Sequence, residues 1–139
     1  MTLILSAQQW RAIELHLESA YPEEGAGFLL GKDGEPRYVR HILPIDNARK
    51  ESRHNRYLIN TFDYLHAEEF AERLGMTLLG VFHSHPDHPP QPSEYDREWA
   101  QPFFSYLIVS VENGKATRSR CWRLSENRQE FLEESIQIE

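Results

Sequence analysis

The chain has 139 residues, 40% hydrophobic and 27% charged, with a formal net charge of −7 at pH 7. That length suits one domain over residues 1–139, with a core that needs neither disulfides nor a structural metal, so a bound metal is free to serve chemistry. The acidic balance disfavours nucleic acid and anionic membranes as partners, and the single cysteine, Cys121, excludes an intrachain disulfide and a cysteine-based zinc knuckle.

Met1 to Ser6 has a very short apolar run and no basic lead. No segment approaches the roughly 20 apolar residues of a membrane span, so a soluble, cytoplasmic protein is expected. Ser6 opens a helix, with Gln9 three residues on as in a capping box. Trp10, Ile13 and Leu17 recur at helical spacing and mark its core face; Pro22 ends it. Gly25 to Gly31 reads as a buried strand, Asp33-Gly34 as a tight turn and Pro36 to Ile45 as a returning strand. Asp46 to Asn55 is polar and reads as a loop, followed by a short strand over Arg56 to Asn60. Thr61 is expected to cap a second helix carrying Phe62, Leu65 and Leu74, with Gly75 as its stop.

Met76 to Phe82 is an apolar run of strand length that feeds into His83-Ser84-His85-Pro86. The proline-rich stretch Asp87 to Pro92 is a stiff loop. Ser93 caps a short helix through about Ala100. Tyr106 to Val111 and Ala116 to Leu124 form a hairpin across Glu112-Asn113-Gly114-Lys115, with Cys121 inside the second strand. The acidic tail, residues 125–139, reads as an edge strand or a mobile end. The fold class is α/β, one domain with a mixed β-sheet flanked by helices.

Side chains two apart on a strand share a face, so His83 and His85 offer two imidazoles to one point. Asp96 follows eleven residues after His85, in the first turn of the short helix, and the loop is long enough to return its carboxylate to that point. Two histidines and a carboxylate leave a tetrahedral zinc its fourth position for water, the arrangement of a catalytic site. A general base must then accept the proton of that water. Glu23 and Glu24, before the small residues Gly25-Ala26-Gly27, are both candidates by composition. Ser93 has two readings, oxyanion donor and helix N-cap, and both can hold.

His83-Ser84-His85-Pro86, six residues, Ser93, two residues and Asp96 spell an H-x-H-P-x6-S-x2-D pattern. It resembles the signature of the JAMM (MPN-plus) zinc metalloproteases, of the compact prokaryotic stand-alone type. The upstream run Glu24-Gly25-Ala26-Gly27 resembles the family's first motif, an acid followed by x-Cys-Gly, with Ala26 in place of the cysteine. The resemblance covers roughly residues 6 to 124 and selects Glu24 over Glu23. It implies the MPN/JAMM, cytidine-deaminase-like fold with the site at the sheet's edge. It also implies one Zn2+ per chain on His83, His85 and Asp96, Glu24 as acid/base and Ser93 steadying the oxyanion. The substrate implied is a peptide or isopeptide bond after the Gly-Gly end of a ubiquitin-like or sulfur-carrier protein.

Two other functions fit parts of the pattern. A non-catalytic MPN scaffold would lack the ligand set that this chain carries. A non-haem iron oxygenase also uses two histidines and a carboxylate, but its close pair is commonly His-x-Asp/Glu. His16, His41, His54 and His66 are read as structural or exposed, His88 as an exposed loop residue beside the site, and Trp10, Trp99 and Trp122 as core or rim packing. The sequence leaves the oligomeric state open.

Overall fold

A computed structural model describes residues 1–46 and 59–139. The loop and short strand expected within 46–60 therefore lie outside the described residues, apart from Asp46, Ile59 and Asn60. Each helix begins with a side chain that satisfies the free N–H groups of its first turn. For α1 (Ala7–Ala20), Ser6 Oγ accepts from the Gln9 N–H and Gln9 Oε1 accepts from the Ser6 N–H, as expected. For α2 (Thr61–Arg73) the cap is Asn60 rather than Thr61: its amide oxygen accepts from the Asp63 N–H at 2.8 Å, and the Asp63 carboxylate returns to the Asn60 N–H at 3.0 Å. Asparagine is the stronger cap, and Asp63 stands at the spacing that answers it. The third helix, α3 (Glu94–Trp99), starts from Ser93.

The strands are β1 (Thr2–Leu5), β2 (Ala26–Lys32), β3 (Arg37–Ile45), β4 (Thr77–Pro86), β5 (Ser105–Glu112), β6 (Lys115–Leu124) and β7 (Phe131–Ile138). They form one mixed sheet in the order β1-β3-β2-β4-β5-β6-β7, closed on itself. β1 runs parallel to β3 and to β7, and β4 runs parallel to β5; the other pairs are antiparallel. The expected mixed sheet with flanking helices is present. The tail is no edge, because β7 pairs with β6 along Phe131–Glu134 and then with β1 along Ser135–Ile138.

Alternation along the strands splits the core in two. Leu29, Leu79, Leu107 and Val109 face α1 and pack on Ile13 and Leu17. Phe28, Leu30, Val81 and Tyr106 lie in the second cluster, with Ala67 and Ala71 of α2. The apolar residues expected to mark α2 point outward instead: Phe62, Leu65 and Leu74 are exposed. Two alanines form the buried stripe because small side chains let the helix lie close to the sheet. Trp99, also expected to pack, is exposed.

β4 lies between β2 and β5, and it runs through Pro86, so His83 and His85 lie on the strand as expected. His83 therefore has Ala26 beside it on β2 and Ile108 on β5, while His85 sits opposite Ser110. β4 is paired on both sides as far as His83, and beyond it β5 alone carries the strand through His85. The β5–β6 hairpin turns at Asn113 and Gly114, both at positive φ, as a tight two-residue turn requires.

Candidate metal centre

His83 and His85 project from the same face of β4, their ring centroids 5.1 Å apart. Beyond Pro86 the chain turns at Asp87, which sits at positive φ. Its carboxylate accepts from the Tyr21 hydroxyl at 2.7 Å and from the Asn113 N–H at 3.0 Å. The proline-rich loop then leads back to α3. There Ser93 Oγ accepts from the Asp96 N–H at 3.1 Å, and Asp96 Oδ2 accepts from the Ser93 N–H at 2.8 Å. This reciprocal cap orients the Asp96 carboxylate. Its Oδ2 lies 3.2 Å from His85 Nε2 and its Oδ1 3.7 Å from His83 Nε2.

Glu24 precedes β2 on the same face. One potential ligand atom from each of Glu24, His83 and His85 lies within 4.8 Å of the others. All four acidic and imidazole groups are buried, with exposures of 4% for Glu24, 0% for His83, 9% for His85 and 7% for Asp96. Beside them opens a cavity of about 400 Å³, whose walls include Glu24, His85, His88, Ser93, Tyr95 and Asp96. Glu23 lines a different cavity with His16 and Ser19, so geometry separates the two adjacent glutamates. Gly25 lets this segment approach α1, since a Cβ there would stand 2.9 Å from the Ala20 side chain.

Burial drives His83 down to about 4, which keeps its imidazole neutral and able to ligate. Burial also pulls on His85, but the hydrogen bond and charge of Asp96 outweigh it and raise its pKa. Burial works to raise Asp96, yet the two imidazoles and the Ser93 N–H together hold its carboxyl well below the usual range. Two imidazole nitrogens and two carboxylates converging in a buried pocket make the donor set of a divalent metal site.

The five residues anticipated from sequence, Glu24, His83, His85, Ser93 and Asp96, thus meet at one place. His16, by contrast, is structural: its Nε2 lies 3.0 Å from the Ala26 carbonyl and 3.2 Å from that of Ile45. The sequence reading missed supporting groups. Ser84 Oγ accepts from the Gly25 N–H, and the indole of Trp122, expected only to pack, donates to the Pro90 carbonyl. Their partners are 59 and 32 residues away, so no local pattern announces them.

Residues 6–125 match the family described as prokaryotic homologs of the JAB domain. A probable TtuB-protein conjugate cleaving protease of Thermus thermophilus is 33% identical over 101 residues, 73% of this chain and 65% of the relative. The chain thus spans just under two thirds of that relative's length. A desampylase of Pyrococcus furiosus is 33% identical over 90% of this chain and 83% of its own. A CysO-cysteine peptidase of Mycobacterium tuberculosis is 27% identical over 88% and 82% of the two chains. Among solved structures, a Desulfitobacterium hafniense protein superposes with a TM-score of 0.85 at 29% identity, covering 99% of this chain and 92% of that one. A JAB1/MPN domain protein of Archaeoglobus fulgidus shares the fold, with a TM-score of 0.59 at 19% identity and 99% coverage of both.

Proposed function

The chain belongs to the family of prokaryotic homologs of the JAB domain, and from that premise we propose that it is a zinc-dependent peptidase or isopeptidase. Its substrate is a ubiquitin-like or sulfur-carrier protein, cut at the peptide or isopeptide bond after its Gly-Gly C-terminus. The observation that carries this reading is the convergence of His83, His85, Asp96 and Glu24 beside one cavity, three of them in its wall and His83 buried behind. The three relatives support it: one is a probable TtuB-protein conjugate cleaving protease, one a desampylase and one a CysO-cysteine peptidase.

In this reading His83, His85 and Asp96 would hold one Zn2+, with the imidazole nitrogens that face Asp96 and its carboxylate as the donors. Zinc, when bound, polarises the scissile carbonyl and lowers the pKa of water to roughly 7. Glu24 accepts the proton of the attacking water and passes it to the leaving amine, which cannot depart as an anion. Ser93 keeps its hydroxyl proton available while its oxygen accepts from the Asp96 N–H, so it can donate to the carbonyl oxygen as negative charge builds there. Burial of Glu24, His83, His85 and Asp96 strengthens the charge interactions among them. Residues 1–139 act as one catalytic domain, in which segment 125–139 completes the sheet, and the work is cytoplasmic. No helix among the described residues is long and apolar enough to cross a membrane.

Purified protein should carry about one zinc per chain, as the three-ligand geometry requires. It should cleave a ubiquitin-like or sulfur-carrier protein extended beyond Gly-Gly, and lose that activity to a chelator until zinc is restored. Bound zinc with no cleavage of either substrate would overturn the substrate class. Absence of bound metal, with no activity on adding zinc, would overturn the enzyme reading.

A further inference from the structure

Four of the seven residues from Pro86 to Pro92 are proline. Proline lacks an N–H, so this segment has few main-chain donors with which to fix its own path. Its carbonyls are instead held from outside, three in succession and by three adjacent strands. The Ser110 hydroxyl on β5 donates to the His88 carbonyl at 2.6 Å. His85 Nδ1 on β4 lies 2.9 Å from the Pro89 carbonyl, which can only accept, so Nδ1 donates. The Trp122 indole on β6 donates to the Pro90 carbonyl at 3.0 Å. Ser110 stands opposite His85 and is fully buried. Three residues after Pro90 comes Ser93, and three after that Asp96.

We propose that Ser110 and Trp122 are positioning residues of the metal centre, fixing the loop whose far end presents Asp96 and whose middle sets the tautomer of His85. The inference rests on the zinc reading above. With Nδ1–H committed to Pro89, Nε2 is the nitrogen that faces Asp96, and it gives up the proton it shares with that carboxylate when it turns to metal. Asp87 ties the near end of the loop to Tyr21, Asn113 and Val111, and beyond Asp87 a loop held only by His85 could still swing. The contacts from Ser110 and Trp122 on either side remove that freedom, and with it the entropy a ligating carboxylate loses on binding.

The test compares wild type with Trp122→Phe, which keeps a ring but removes the indole N–H, and with Ser110→Ala. Zinc affinity is read by competition with a chromophoric chelator, ligand geometry by the visible spectrum of the Co2+ form, and folding by the melting temperature of the stripped protein. Each variant should bind zinc about 10-fold to 100-fold more weakly, the range for groups that orient metal ligands, and its cobalt spectrum should change. In stripped protein, NMR should find the His85 Nδ1–H protected from exchange with solvent by its bond to Pro89 in wild type, and less protected in the variants. Unchanged zinc affinity, cobalt spectrum and Nδ1–H protection, even with a lower melting temperature, would overturn the proposal and leave both residues as packing. A wild type that binds neither zinc nor cobalt would instead overturn the zinc reading, while the Nδ1–H comparison would still decide whether the loop is pinned.

Discussion

Gly25 and Ser84 exchange two hydrogen bonds: the Gly25 N–H donates to Ser84 Oγ at 2.8 Å, and the Ser84 N–H donates to the Gly25 carbonyl at 3.1 Å. Ser84 is the residue between the two histidines, and Gly25 follows Glu24. The pair therefore fixes the separation of the glutamate from both imidazoles. Glu24→Gln keeps the size of the side chain and should keep zinc, but lose about 10²–10⁴ in turnover, the usual contribution of a general base. Zinc content and cleavage rate are measured together. A wild-type rate would remove Glu24 as the base, and loss of zinc would make it a ligand.

Ser93→Ala separates the two readings of that serine. Its cap on the Asp96 N–H is present, and losing a cap costs about 1 kcal/mol. If the hydroxyl also donates to the oxyanion, turnover should fall by about 10²–10³. Denaturation and single-turnover kinetics read the two effects apart. A lower midpoint with an unchanged rate would leave Ser93 as a cap alone.

Acid should weaken zinc binding through one imidazole, not two. His83 stays neutral until about pH 4 because burial opposes its charge. His85 holds its proton above the ordinary imidazole value, since Asp96 outweighs burial there, and metal must displace that proton. Affinity should therefore fall as pH drops below the neutral range, with about one proton exchanged per zinc between about pH 5 and 6. Competition titrations at stepped pH give the slope. A slope of two would mean that His83 charges as well.

The opposite end of the same strands holds a buried cation. Arg37, 2% exposed, donates to Asp33 Oδ1, Ser105 Oγ and the carbonyls of Phe103 and Leu79. Ser105 in turn donates to the buried Glu134 at 2.7 Å. Arg37→Ala should cost about 1–3 kcal/mol, because it leaves the buried Ser105 hydroxyl and Leu79 carbonyl without their donor, while the exposed Asp33 can turn to water. Chemical denaturation measures this, while the cleavage rate per folded, zinc-loaded molecule should stay at the wild-type level. A loss below about 1 kcal/mol would mean that water enters to replace the guanidinium.

The clustering of these residues was legible because strand alternation places His83 with His85, and one loop brings Asp96 back at short range. Glu24 was harder, as composition alone did not divide it from Glu23, and the division lies in which cavity each faces. β1 gave no signal: Leu3, Ile4 and Leu5 are buried in succession, so no alternation marks a strand. The closure of the sheet was equally silent, since its hydrogen bonds join opposite ends of the chain. The outward turn of Phe62 and Leu65 also went unread, because periodicity finds an apolar face without saying which stripe meets the sheet.

That closure has a temporal side. β1 pairs along its whole length with residues 135–138, and with β3 only at Leu3 and Ile4. Synthesis runs from the amino end, so the first strand made waits for the last before the ring can shut. Contacts this distant in sequence are slow to form. Glu24, His83, His85 and Asp96 all emerge before β7, so the sheet that carries them can shut only after the whole cluster has been made.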